Sequence, residues 1–204
     1  MPKRITILGA GPGGYVAALR GAELGAQVTV IENDTLGGTC LNWGCIPTKT
    51  MKSSAEAVRK AERLEAFGIQ FSGKIRPDFA AIMARKDTVV STLVGGIDKA
   101  FKTGKVTLIK GTGTVVDPHL VRVADPKGAF HEVAGDKLIL ATGSRPQDLP
   151  NLSFDGKNIL SSDDVLKLKS MPRKIIVLGG GVIGAEFAFI FKQFGAEVTV
   201  VEAM

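Results

Sequence analysis

The sequence predicts an α/β fold with a parallel sheet. Three observations point there. A short apolar run, Ile5-Thr6-Ile7-Leu8, passes directly into a glycine-rich turn and then into a helical pattern and a second apolar run. The same arrangement returns 170 positions later, where Ile175 to Glu202 matches Ile5 to Glu32 at 12 of 28 residues. Between the two, helical periodicity gives way to an alternating pattern from Lys105 onward.

The opening unit reads as strand, turn, helix and strand. Gly9-Ala10-Gly11-Pro12-Gly13-Gly14 puts glycines at the three positions of G-x-G-x-x-G, a helix is expected from about Gly13 to Leu24, and a strand from Val28 to Ile31 ends at Glu32. Each part has a physical reason. Gly9, Gly11 and Gly14 allow a tight turn, close approach to a pyrophosphate and close helix–strand contact, and the helix N-terminus faces the phosphates. Glu32, 23 residues after Gly9, stands where a carboxylate accepts hydrogen bonds from ribose hydroxyls. In the second unit Gly179, Gly181 and Gly184 occupy the glycine positions and Glu202 the acidic one. Glu202 favours a free ribose 2′-hydroxyl and would repel a 2′-phosphate, so NAD is expected there rather than NADP.

Directly after the first unit comes Gly37-Gly38-Thr39-Cys40-Leu41-Asn42-Trp43-Gly44-Cys45-Ile46-Pro47-Thr48-Lys49, which holds the only two cysteines. In a regular helix, residues five apart are separated by about 7.5 Å of rise, whereas a disulfide needs Cα atoms roughly 4.4 to 6.8 Å apart. If Cys40 and Cys45 bond, the backbone between them is bent. Gly44 supplies the freedom for it, and Pro47 suits a first helical turn, where free N–H groups and the helix dipole favour a thiolate. Composition alone leaves two other readings open: a pair of buried inert thiols, and a metal site, for which the spacing and the two histidines, His119 and His131, are poorly suited.

Further along, Met51 to Phe67 and Pro77 to Lys102 are helical in pattern, the second amphipathic, with its apolar face assigned to packing. Val106 to Ile109, Thr112 to Val116, Leu120 to Val123 and Phe130 to Val133 are expected to form a β-meander, with His119 and His131 on its surface. Lys137 to Leu140 reads as a buried strand delivering Ala141-Thr142-Gly143, small residues at a strand end where a ligand can approach the backbone. A linker rich in Pro, Asn, Asp and Ser follows from Gln147 to about Pro172.

The charge of +6 is scattered in ones and twos with no basic run, which argues against nucleic acid. No stretch approaches 18 uninterrupted apolar residues, and Met1 to Arg4 does not open a signal peptide, so no membrane association and a cytoplasmic location are expected.

Two dinucleotide motifs bracketing Cys-x4-Cys resemble the flavoprotein disulfide reductases, and GGTCLNWGCIPTK with GGGVIGAE is most similar to their dihydrolipoyl dehydrogenase branch. The resemblance covers the whole chain. It implies a Rossmann-like FAD-binding domain over residues 1–147 carrying a redox-active disulfide, a linker over 148–172, and the start of an NAD-binding domain over 173–204. It implies that Gly9, Gly11, Gly14, Glu32, Gly37, Gly38, Thr39, Lys49, Gly113, Thr142 and Gly143 hold FAD, and that Gly179, Gly181, Gly184 and Glu202 hold NAD. Cys40 would be the interchange thiol toward dihydrolipoamide and Cys45 the charge-transfer thiol against the flavin, with Lys49 paired to Glu186.

The implied reaction oxidises dihydrolipoamide, carried on the lipoyl domain of a 2-oxo-acid dehydrogenase or glycine cleavage complex, with FAD and NAD as cofactors in a homodimer. A general base, a His backed by a Glu, belongs to a carboxyl-terminal domain in this family, and neither His119 nor His131 matches it. The chain is therefore expected to be an amino-terminal fragment, inactive alone. The runners-up are a mercuric or glutathione reductase type, an inert FAD-binding module, and a flavin-free redox sensor.

Overall fold

A computed structural model describes residues 1–202. The chain divides into two compact units, Met1–Trp43 with Val90–Arg145, and Gly44–Val89 with Pro146–Met204.

The first unit is built on a four-stranded parallel sheet. β1 (Arg4–Leu8), β2 (Gln27–Glu32), β3 (Thr107–Lys110) and β7 (Lys137–Leu140) lie in the order β3-β2-β1-β7. α1 (Pro12–Glu23) connects β1 to β2, and Pro12 costs it no hydrogen bond because first-turn amides have no acceptor within the helix. Alternation along the strands supplies two cores. Ile7 and Val30 are fully buried on one face with Ala18 of α1, and with Phe101 from the later half of α4 (Phe79–Thr103). Leu8 and Ile31 point to the other face, against Val121 and Val123. Burial on both faces explains why these strands read as continuous apolar runs.

The second face is covered by an antiparallel meander of β4 (Thr112–Asp117), β5 (Leu120–Ala124) and β6 (Phe130–Ala134). This corrects one expectation. The strand at 107–110 does not join the meander but pairs in parallel with β2, in the register Thr29↔Thr107. Gly111, at φ +154 and where an added Cβ would lie 2.5 Å from the Ala124 carbonyl oxygen, breaks the chain between β3 and β4. An alternating pattern marks a strand without naming its partner. Where β1 begins, Arg4 donates from its backbone N–H (2.8 Å) and its guanidinium (3.0 Å) to Asp136, and these bonds hold that carboxyl below its usual range.

The second unit has α3 (Cys45–Ala61), α5 (Ser162–Val165), α6 (Val182–Gln193) and a parallel pair, β8 (Lys174–Leu178) and β9 (Glu197–Val201). Met51 and Ala55 of α3 pack with Phe79 and Met83 of α4 and with Phe187, Ile190 and Phe191 of α6. α3 starts and stops six residues before the expected Met51–Phe67, since Gly44 marks its beginning and only a 3-10 turn, Leu64–Phe67, follows it.

The stretch read as a linker holds a capped helical turn. Ser161 Oγ accepts from the Asp164 N–H at 3.2 Å, while the Asp164 carboxylate accepts from the Ser161 N–H at 2.9 Å. Val165 and Leu166 are buried behind it. The buried Lys86 donates to the Leu166 carbonyl at 2.6 Å, satisfying an acceptor at the end of this turn. Lys86→Met, which keeps the aliphatic volume but not the ammonium, is expected to destabilise the chain by about 2 kcal/mol. Hydrogen exchange at Val165 to Leu168 should speed up, and unchanged exchange there would show that Lys86 does not hold the turn. Among the described residues, no helix is long and apolar enough to cross a membrane.

Candidate functional site

In the first glycine turn the three glycines are demanded for different reasons. Gly9 ends β1 at φ +95, and a Cβ there would lie 2.2 Å from the Ala141 carbonyl oxygen. Gly14, in the first turn of α1, backs onto that bend, since its Cβ would sit 1.8 Å from the Gly9 carbonyl oxygen. Gly11 is under neither constraint. Its backbone is extended (φ −70, ψ −175), and an added Cβ would meet only Gly38 Cα at 3.6 Å. What Gly11 leaves clear is the space in front of the α1 N-terminus, where free amides can take a pyrophosphate. The turn therefore fits a dinucleotide.

The loop after β2 closes on this turn. Gly37 donates to the Ala10 carbonyl at 2.9 Å, and Gly38 (φ +57) comes so near that its Cβ would be 2.5 Å from Gly11 Cα. The Thr39 hydroxyl is 3.5 Å from the Ser144 carbonyl, just beyond Thr142 and Gly143, which are exposed after β7. All of these residues gather at the carboxyl ends of β1, β2 and β7. Glu32 is buried there, its two oxygens accepting from the backbone N–H groups of Ala10 and Asp34 at 2.7 Å each. Gly113, in β4, is drawn into packing, because a Cβ on it would fall 2.2 Å from Leu8 Cδ2 and 3.4 Å from Ile31 Cγ2.

The cysteine stretch is a broken helix. α2 (Gly38–Asn42) ends at Trp43, Gly44 takes φ −140 and ψ −109, and α3 starts at Cys45. Both cysteines are disulfide-bonded, and as the chain has only two they are bonded to each other. The bend that such a bond needs is present at Gly44. Cys45 is exposed in the first turn of a 17-residue helix. Sequence reasoning passed over Asn42, whose buried side-chain amide donates to the carbonyls of Leu36 (2.9 Å) and Gly38 (3.1 Å) and ties α2 to the loop before it. Its only signal in the sequence was an amide between Leu41 and Trp43.

One turn into α3, Lys49 Nζ lies 2.7 Å from both carboxylate oxygens of Glu186 on α6. The second glycine turn repeats the first. Gly179 has φ +100, Gly181 is extended, and a Cβ on Gly184 would be 2.0 Å from the Gly179 carbonyl oxygen. The hydrogen bonds recur too. Gly179 N–H donates to Val201 O at 2.8 Å as Gly9 does to Ile31 O, and Gly180 N–H donates to the Glu202 carboxylate as Ala10 does to Glu32. Of the two histidines, His119 bonds the Gly135 carbonyl at 3.2 Å and His131 faces Asp125 at 3.4 Å, both on the meander. No three metal-ligating side chains cluster among the described residues.

Residues 3–204 match the pyridine nucleotide-disulphide oxidoreductase family. The chain is 43% identical to dihydrolipoyl dehydrogenase 2 of Haloarcula marismortui, over 98% of this chain and 42% of that protein. It is 41% identical to dihydrolipoyl dehydrogenase of Bacillus subtilis, over 97% of this chain and 43% of that one. Among solved structures, LpdA from Mycobacterium tuberculosis superimposes with a TM-score of 0.90 at 33% identity, covering 98% of this chain and 44% of LpdA. The chain thus spans less than half the length of these relatives. With two Rossmann-like glycine turns, a disulfide at a helix break between them and a family match along nearly its whole length, the chain belongs to the pyridine nucleotide-disulphide oxidoreductases.

Proposed function

We propose that this chain is the amino-terminal portion of an NAD-dependent dihydrolipoyl dehydrogenase, and that the Cys40–Cys45 disulfide is its redox-active centre. The observation that carries the reading is that disulfide, set at the Gly44 break and preceded by a glycine turn fit for a dinucleotide. Residues 1–147 form the FAD-binding domain in this reading, 148–172 the linker and 173–204 the start of the NAD-binding domain. Gly9, Gly11, Gly14, Glu32, Gly37, Gly38, Thr39, Lys49, Gly113, Thr142 and Gly143 hold FAD, and Gly179, Gly181, Gly184 and Glu202 hold NAD. FAD supplies the two-electron relay from the dithiol to the nicotinamide.

The chain's own chemistry is thiol–disulfide exchange. A thiolate of dihydrolipoamide attacks Cys40 Sγ, the Cys40–Cys45 bond breaks, and Cys45 leaves as a thiolate. The second substrate thiolate then attacks the mixed disulfide, which releases Cys40 and closes lipoamide. Two electrons pass to the cysteines, one substrate proton goes to a base and the other to the released Cys40. His119 and His131, both held on the meander, are not assigned that role. The base is assigned to a His and Glu of a carboxyl-terminal domain, supplied by the partner in a homodimer.

The test adds dihydrolipoamide and NAD to the longer protein carrying this segment. NADH formation with NAD, and no NADPH formation when NADP replaces it, is the expected result. Absence of NADH with dihydrolipoamide but turnover with another disulfide substrate would overturn the substrate assignment.

A further inference from the structure

The Lys49–Glu186 pair has a third member that the proposed mechanism does not use. Lys52, one turn along α3, places Nζ 3.9 Å from Glu186 Oε1 and 3.8 Å from Glu56 Oε1. It is within ion-pair range of both carboxylates and hydrogen-bonded to neither. Lys49, by contrast, spends two of its three N–H donors on Glu186 at 2.7 Å.

Exposure separates the three. The Glu186 side chain keeps 19% of its surface, Lys52 37% and Lys49 54%. A largely buried carboxylate left without a cation is costly, whereas a half-exposed ammonium gives up a partner for water or for another anion at little cost. If Lys49 turns toward an anionic ligand, Glu186 needs another cation in its place. A lysine suspended between two carboxylates, with its flexible four-carbon stem on the same helix face, can supply one by moving about 1 Å to hydrogen-bonding distance.

We propose that Lys52 is a positioning residue, a reserve counter-ion that takes over Glu186 whenever Lys49 is drawn away, so that Lys49 is free to engage a bound anion. That the anion is FAD rests on the function proposed above. The exchange between the two lysines does not.

The test is a set of variants of the 204-residue chain, followed by urea unfolding without cofactor. Lys52→Met alone should change the folding equilibrium constant by less than about threefold, since Lys49 still pairs Glu186. In a Lys49→Met background the same change should cost about tenfold, because Lys52 is then the remaining cation within reach of the carboxylate. Lys52→Arg in that background should restore the lost stability, and in a Lys49→Met/Glu186→Gln background Lys52→Met should again be nearly neutral. Equal costs of Lys52→Met in the parent chain and the Lys49→Met chain overturn the proposal. If the Lys49→Met variants do not fold, a crystal structure of Lys49→Gln decides it. A Lys52 Nζ to Glu186 distance near 3 Å supports the exchange, and one still near 3.9 Å refutes it. Titration of FAD onto the longer protein carrying this segment, followed by visible absorbance, is read separately. Loss of FAD binding with the lysine coupling intact counts against the proposed function alone, and FAD binding without the coupling counts against Lys52 alone.

Discussion

Gly14→Ala is expected to destabilise the chain by about 3 kcal/mol or more, while Gly11→Ala, three residues away, changes stability by less than about 1 kcal/mol. Helix propensity would order them the other way, because Ala is favoured over Gly at Gly14, inside α1, and disfavoured at Gly11, its N-cap. The difference lies in what the new methyl meets. At Gly14 it would overlap the Gly9 carbonyl oxygen at 1.8 Å, backbone against backbone, with no side chain able to move aside. At Gly11 it finds Gly38 Cα at an ordinary 3.6 Å, in a backbone conformation open to any residue. The order should reverse in a ligand titration. Gly11→Ala fills the clearance before the α1 amides and should lower affinity for FAD at least tenfold in a chain that still unfolds at its normal urea midpoint. The second turn sets a parallel test, with Gly184→Ala disruptive (2.0 Å from Gly179 O) and Gly181→Ala, whose Cβ meets nothing within 4 Å, tolerated. Equal urea midpoints for Gly11→Ala and Gly14→Ala would sink this account of the turn.

Cys45→Ser is expected to abolish the disulfide–dithiol cycle, leaving Cys40 able to form mixed disulfides only. The oxidised parent chain should show no free thiol toward a thiol-specific reagent and two after reduction, whereas Cys45→Ser should show one under both conditions. With one sulfur no intramolecular disulfide can be re-formed, so a substrate dithiol transfers no electron pair to the chain. Closing the short loop between the cysteines also contributes about 2 kcal/mol by restricting the unfolded chain. Reduced parent and Cys45→Ser should therefore unfold at similar urea concentrations, both below the oxidised parent, and added reductant should leave Cys45→Ser unmoved. A parent chain that shows two reactive thiols before reduction would remove the proposed redox centre.

Much of the geometry of the two glycine turns was legible because it is local. Gly9 and Gly14 answer to each other across five residues, and the requirement survives in the second unit, where Gly179 reproduces the φ and Gly184 the crowding against the preceding carbonyl, although most side chains between them differ. The break at Gly44 was likewise readable, since two cysteines five positions apart cannot bond along an unbroken helix. Alternation along β1 and β2 shows as continuous apolar runs because each strand is covered on both faces.

What local pattern could not carry was pairing at a distance. β3 reads as one more strand of the meander, yet it joins β2, some 78 residues earlier in the chain at the register Thr29↔Thr107. The segment after Gln147 has a linker's composition, yet Ser161 and Asp164 cap a turn in it, and Lys86, 80 residues away, bonds the Leu166 carbonyl. Lys49 was tied to Glu186 only through a resemblance, and nothing singled out Lys52, whose charge in a one-dimensional reading is that of any solvated lysine.

By itself the sequence determined the α/β class, the two glycine turns with their acidic strand ends, and the bend that the cysteine spacing demands. These are steric facts within a few residues of backbone. The tertiary structure decided which strand lies beside which, which lysine is buried, and which cations surround Glu186. Those depend on where folding brings distant segments, and on whether a charge placed there meets water or a partner.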